Sequence, residues 1–318
     1  LIGSPYWVSA SVTSASATPT GSVTISDGYG ARCGPVVLSA GMASCSIVSW
    51  QPGAKTLRAV YLPDAGFAAS QGTLAFSVTS PGNDWLYASA YGNSSLFRVR
   101  PDGTQQSEIA SVSNPRFITY DPVERHLFVA LGGIPGGVLR LNLDGTGATT
   151  VINESSSVYG VAVDPYARKL YWTVLSSGAG AVKRANLDGS MAETLISAPN
   201  QQPLGVALDL EAGKVYWGEY NASRFRRADL NGANSETVLV RATASSGIAV
   251  DGPTNRLFFS EGLFGTSFLG RSGLNGSSPV SLGLTVAAPA QIALDYVGGR
   301  VFVANEDGSR LGAVNMDG

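Results

Sequence analysis

The chain has 318 residues, a formal net charge of -2, and 14% charged residues against roughly 25% in an average soluble protein. That balance excludes the basic footprint of a nucleic-acid or anionic-membrane binder. No apolar run approaches the roughly 18 residues a membrane helix needs, so no membrane insertion is expected. The opening LIGSPYWVSA has no initiator Met and no basic n-region, and reads as a mature fragment or a piece of a longer polypeptide.

Residues 1–80 read as all-β. VSASVTSA alternates, PTGSVTISDG is turn, strand and turn, GPVVLSAGMASCSIV is a hairpin, KTLRAVYL alternates again, and GTLAFSVTS closes the set. About seven short strands joined by turns predict a sandwich. Cys33 and Cys45, the only two cysteines, flank the hairpin with its turn SAGM midway. Facing positions of a hairpin can meet disulfide geometry, and a disulfide would place the chain in an oxidising compartment. Two buried thiols are the alternative. The order PTGSVTISDG, VVLSAGMASCSIV, PGAKTLRAVYLPDAGFAAS resembles the bacterial Ig-like repeat domains of secreted and surface proteins, with Tyr61, Asp64, Phe67 and Ser70 at matching positions. PDAG stands where the family more often has GDA. The resemblance implies a spacer or adhesive module, and a secreted or cell-surface bacterial protein.

Residues 81–318 read as a repeat array. Gly103, Gly145, Gly189, Gly232, Gly276 and Gly318 each follow Asp or Asn, at spacings of 42, 44, 43, 44 and 42 residues. Asp-Gly and Asn-Gly supply the positive φ angles of tight hairpin turns. In phase with them, Asp121, Asp164, Asp209, Asp251 and Asp295 each end a short apolar strand. An aromatic comb follows: WLYAS, LFVAL, LYWTV, VYWGE, LFFSE, VFVAN. About four strands in 40–45 residues predict a β-propeller. KLYWTV…VKRANLDG…PLGVALD and KVYWGEY…FRRADLNG…GIAVD resemble the YWTD propeller of the low-density lipoprotein receptor class B type. The Asp of that motif, which in the family ties one blade to the next, is replaced by Ala90, Leu131, Val174, Glu219, Glu261 and Asn305. Any such tie must here be weaker or supplied otherwise.

The reading is therefore an all-β chain: an Ig-like sandwich over residues 1–80 and a six-bladed propeller over 81–318. The Asp-ended strand is placed innermost. The first blade has none before Trp85, and the last stops at Gly318 without an outer strand, so the ring reads as unclosed. In the family, residues further along the chain close it. Alternatively GTLAFSVTS leaves the sandwich and serves as a propeller strand.

Most of the conspicuous residues read as structure. The aspartates Asp121, Asp164, Asp209, Asp251 and Asp295 are placed on the backbone of the following turn, and Tyr171, Trp172, Tyr216 and Trp217 in the core. His126, the only histidine, reads as a blade-edge residue; with one histidine and the two cysteines bonded to each other no zinc set can be assembled, and a Ser-His-Asp triad would have to use His126, which sits in a structural slot of the repeat. No catalytic residue and no cofactor are expected. The metal alternative rests on Glu219, Glu261 and Asn305, which share one repeat slot, with Glu154 and Glu306 outside the pattern. These can equally be solvated loop residues. In SRFRRADL, Arg224 and Arg226 share a face. The expectation is a non-enzymatic binding or structural module with a protein or glycan ligand on the propeller. A self-associating surface or filament subunit and a metal-dependent hydrolase or lyase are the alternatives.

Overall fold

The computed structural model describes residues 1–64, 66–80, 85–176, 178–262, 268–284, 289–305 and 311–318. Among these no α-helix occurs, and the chain separates into two compact units, Leu1–Asn83 and Asp84–Gly318.

The first unit is a sandwich of two sheets. β1 (Pro5–Ser11) pairs antiparallel with β4 (Met42–Val48). The other sheet runs β3 (Arg32–Val37), β2 (Gly21–Ser26), β5 (Gly53–Pro63), β6 (Ser70–Val78). Alternate residues of β2 and β5 turn inward, and Val23, Ile25, Leu57 and Tyr61 are buried, as are Ala43 and Ile47 of β4. The alternation also carries Lys55 inside. Its ammonium lies 3.5 Å from Asp27 Oδ2 and 3.7 Å over the Tyr29 ring. Asp27 accepts the amides of Tyr29 and Ala31 and the Ser49 hydroxyl, which holds the end of β2.

One expectation changes here, and one is met. Cys33 and Cys45 do form a disulfide, with Cα atoms 6.1 Å apart, but not across a hairpin. β3 and β4 lie in different sheets, with only a Ser39–Met42 bridge between them, so the bond ties sheet to sheet. GTLAFSVTS is a sandwich strand: β6 pairs with β5 from Ser70–Tyr61 to Val78–Gly53.

The second unit is a six-bladed β-propeller. Among the described residues blade 1 has three strands, β7 (Leu86–Ala90), β8 (Ser95–Val99) and β9 (Ser107–Ser111). Blade 2 is β10 (Pro115–Asp121), β11 (His126–Leu131), β12 (Gly136–Asn142) and β13 (Thr149–Glu154). Blade 3 is β14 (Ser157–Asp164), β15 (Lys169–Leu175), β16 (Ala181–Asn186) and β17 (Glu193–Ser197). Blade 4 is β18 (Pro203–Asp209), β19 (Lys214–Glu219), β20 (Arg224–Asp229) and β21 (Glu236–Val240). Blade 5 is β22 (Ser245–Asp251), β23 (Arg256–Glu261), β24 (Phe268–Gly273) and β25 (Val280–Ser281). Blade 6 has β26 (Pro289–Asp295), β27 (Arg300–Asn305) and β28 (Leu311–Asn315). Each blade is an antiparallel meander in chain order.

The aromatic strands build the core between blades. Trp172, Tyr171, Trp217, Tyr216, Phe258 and Phe259 are all 1% exposed or less. In blades 3, 4 and 5 the inner strand approaches its neighbour so closely that the position four residues before the aspartate holds glycine, where blades 2 and 6 have Phe117 and Gln291. A Cβ on Gly160 would sit 2.3 Å from the Leu204 carbonyl oxygen, and one on Gly205 2.5 Å from that of Ser246. At the rim, Arg184 donates to the Leu230 carbonyl (2.8 Å) and Arg227 to that of Leu274 (3.1 Å), each reaching the next blade's turn. Within those turns Asp144 and Asp188 accept the amide and hydroxyl two residues on, which holds both carboxyls below their ordinary range.

Candidate functional site

The Asp comb sits where each inner strand turns into the second. Asp121, Asp164, Asp209 and Asp295 accept turn amides from Val123, Tyr166, Ala212 and Val297, while Asp251 accepts the Thr254 hydroxyl. Burial raises the Asp209 carboxyl above its ordinary value, with the Ala212 amide acting against it. Asp121, Glu124 and His126 bring one possible ligand atom each within 4.8 Å. A cation already fills that place. The Arg168 guanidinium lies 2.9 Å from Asp121 Oδ1 and 2.7 Å from Glu124 Oε1.

Glu219 and Glu261 are not solvated loop residues. They end β19 and β23 at 0% and 3% exposure. Buried carboxylates need partners, and each has its own. Glu219 takes Arg224 at 2.5 Å, Arg226 at 3.6 Å and the Trp217 indole N–H at 3.1 Å. The shared face of Arg224 and Arg226 is thus turned to Glu219. Glu261 takes the Arg241 guanidinium and, at 2.9 Å, the Thr243 hydroxyl. Glu154 accepts the Trp172 indole N–H and Lys183, both at 2.9 Å. Asn305 is half-buried, and among the described residues its Oδ1 has no hydrogen-bond partner. Glu306 lies outside the described residues.

The blade-to-blade tie is carried by another position. Thr173 Oγ1 accepts the Gly160 amide of its own blade (2.8 Å) and donates to the Leu204 carbonyl of the next. Ser260 Oγ accepts the Gly247 amide (2.8 Å) and donates to the Ala290 carbonyl (3.1 Å). Sequence reading passed over these hydroxyls. Their signal was present, one residue before the divergent slot in LYWTV and LFFSE, but only the fold shows what they touch.

A concave feature of the propeller lies between blades 1 and 6. A cavity of about 480 Å³ is lined by Leu86, Ala88, Phe97, Phe117, Gln291 and Phe302, among others. Asn305 also lines it. Ala88 stands where Trp172, Trp217 and Phe259 stand in blades 3, 4 and 5, which empties this space. Across the gap, the Gln291 carboxamide bonds the Ile118 backbone twice, with the amide 2.8 Å from Oε1, and Arg300 donates to the Pro101 carbonyl at 3.1 Å. Side chains therefore join blade 6 to blades 1 and 2.

Residues 1–79 match the family model of the bacterial Ig-like domain (group 3). The chain is 28% identical over 155 residues to low-density lipoprotein receptor-related protein 5 of Mus musculus, which covers 46% of the chain and 10% of that protein. It is 31% identical over 175 residues to protein cueball of Drosophila erecta, covering 50% of the chain and 27% of that protein. The chain thus spans about a quarter or less of these relatives. Among solved structures, one from a nidogen/laminin complex superposes with a TM-score of 0.64 at 16% identity, over 73% of this chain and 89% of that one. A gluconolactonase from Xanthomonas campestris superposes with a TM-score of 0.60 at 16% identity, over 73% of this chain and 81% of that one. Likeness at such identity is a likeness of fold. The chain joins a bacterial Ig-like domain to a six-bladed β-propeller similar to the YWTD propellers of these receptor-related proteins.

Proposed function

We propose that the chain is an extracellular, non-enzymatic binding or adhesion module of a bacterial surface or secreted protein. The propeller makes protein or glycan contacts, and the Ig-like domain acts as spacer. The observation that carries this reading is the state of the carboxylates. Glu154, Glu219 and Glu261 are each held by an arginine or lysine at 2.9 Å or less. A divalent cation placed among them would have to displace those guanidinium and ammonium groups. The Cys33–Cys45 disulfide supports an oxidising compartment. The similarity to propellers of receptor-related proteins supports a protein ligand over a small substrate.

The test has two arms on the same protein. Immobilised chain is offered purified extracellular-matrix proteins and a glycan array, with calcium and then with EDTA. Saturable binding that survives EDTA is expected. Sugar lactones are then offered with calcium or manganese. Metal-dependent turnover abolished by EDTA would overturn the reading in favour of a hydrolase.

A further inference from the structure

Two polar pairs recur within blades 3 and 4, and blade 5 has lost both. The first joins the lysine that opens the second strand to an acceptor on the third. Lys169 faces Asn186 at 2.6 Å, and Lys214 faces Asp229 at 2.5 Å. In blade 5 the same register sets Arg256 against Gly273, which offers no side chain. The second pair joins an arginine of the third strand to a glutamate of the fourth. Arg184 Nε donates to Glu193 at 3.0 Å, and Arg227 Nε to Glu236 at 2.7 Å. In blade 5 that register sets Arg271 against Val280.

Both arginines line one cavity of about 380 Å³, with Thr254, Asn255, Ser277 and Asp317 also in its wall. Arg256 has other acceptors. Its Nη1 lies 2.7 Å from Asp317 of the blade 6 turn, and its Nε donates to the Thr254 hydroxyl at 2.7 Å. Arg271 has no such replacement. It is half-buried and makes no ion pair among the described residues, and its Nε, the atom that bonds glutamate in Arg184 and Arg227, has no acceptor there. Its Nη2 only approaches the Asp317 carbonyl oxygen, at 3.4 Å. Among the described residues no apolar side chain lines this cavity. Both losses lie inside blade 5, between strands whose register is set on each side.

A guanidinium without its carboxylate, set in a wall of hydroxyl and amide groups, specifies a ligand. We infer that this blade 5 cavity binds a carboxylated sugar, a uronic acid residue of a glycan. The sugar carboxylate goes to Arg271, in the role that Glu193 and Glu236 play for Arg184 and Arg227. A planar carboxylate suits the fork of an arginine. The sugar hydroxyls meet Ser277, Ser278 and Asn255, and the Asp317 carboxylate, 86% exposed, accepts one of them. An acidic peptide fits this wall less well. Peptides and proteins are held by buried aromatic or aliphatic anchors or by a strand edge, and the cavity wall supplies neither. The inference rests on the glycan reading of the propeller given above, and adds to it the class of sugar and the place where it binds.

The probes are galacturonate and galactose, which differ only in a carboxylate against a hydroxymethyl group. Each is titrated into the 318-residue chain and followed by amide shifts in NMR spectra. Galacturonate is expected to give saturable shifts in the millimolar range, and galactose none. Val280→Glu copies Glu193 and Glu236 at an exposed position and supplies Arg271 with a carboxylate from its own blade. It is expected to keep the fold by circular dichroism and to weaken galacturonate about tenfold, the scale of one charge-assisted contact. Arg271→Gln is expected to weaken it to the same extent. Absence of saturable binding overturns the inference, as does equal binding of galactose or wild-type affinity in Val280→Glu. Equal binding of acetyl-Gly-Glu-Gly-amide also overturns it, by making an acidic protein segment the ligand. Binding to a glycan array that is unchanged in Val280→Glu would overturn this site alone and leave the glycan reading of the propeller standing.

Discussion

A single hydroxyl in this fold does the work of a longer acidic side chain. Thr173 and Ser260 each accept an amide from their own blade and donate to a carbonyl of the next, so one oxygen satisfies two buried backbone groups. This supplies a tie between blades 3 and 4 and between blades 5 and 6, whereas blades 2, 4 and 6 have Ala130, Gly218 and Ala304 at that position. Lys55 is the opposite case, a buried charge with an incomplete set of partners. Burial pushes its ammonium down to about 8, with Asp27 acting against the shift. Its unfolded value is the ordinary 10.5. Between pH 8 and 10.5 the unfolded chain therefore holds a proton that the folded chain lacks. Stability from this group rises with pH across that window and is flat below it. Urea midpoints of the wild type and of Lys55→Met should converge in favour of the wild type as pH goes from 8 to 10. Parallel profiles would count against the buried-charge account.

Glycine does two different jobs in these elements. Gly213, in the turn between β18 and β19, has φ of +66° and nothing within 4 Å of a Cβ. Gly205, inside β18, has ordinary backbone angles but would place a Cβ 2.5 Å from the Ser246 carbonyl of the next blade. The first position is constrained by conformation, the second by packing. Gly213→Ala should therefore cost about 1 kcal/mol, and Gly205→Ala about 3 kcal/mol, because backbone cannot step aside as a flexible side chain can. Chemical denaturation of the two variants checks the order. If Gly213→Ala is the costlier, the close approach of inner strands is not what selects glycine in the repeat.

At the scale of the whole molecule, two kinds of unit are stabilised by different means. The sandwich carries the one disulfide, closing a loop with a sequence separation of 12. In the chain-entropy model such a loop contributes about 3 kcal/mol. The propeller holds no cysteine and depends on contacts between neighbouring blades. Calorimetry with and without reductant should resolve two transitions, of which only one falls on reduction. A single transition that moves as a whole would show that the two units unfold together.

What the sequence determined by itself was everything periodic. The turn glycines at 42–44 residues, the Asp-ended strands and the aromatic comb follow from local rules of turn chemistry and alternation, and they placed the strands in their blades. The disulfide was legible, but its geometry was not: a linear pattern does not say that β3 and β4 part into different sheets. The acidic slot was legible as a departure from the repeat, yet not as a set of buried pairs, because Arg224, Arg226 and Arg241 become partners only once strands pair and blades stack. Tertiary structure alone decided the site between blades 1 and 6. Ala88 and Gln291 are unremarkable in sequence, and acquire meaning only because the ring sets them along one cavity. Burial and partner choice depend on contacts distant along the chain, and a periodic pattern records only the near ones.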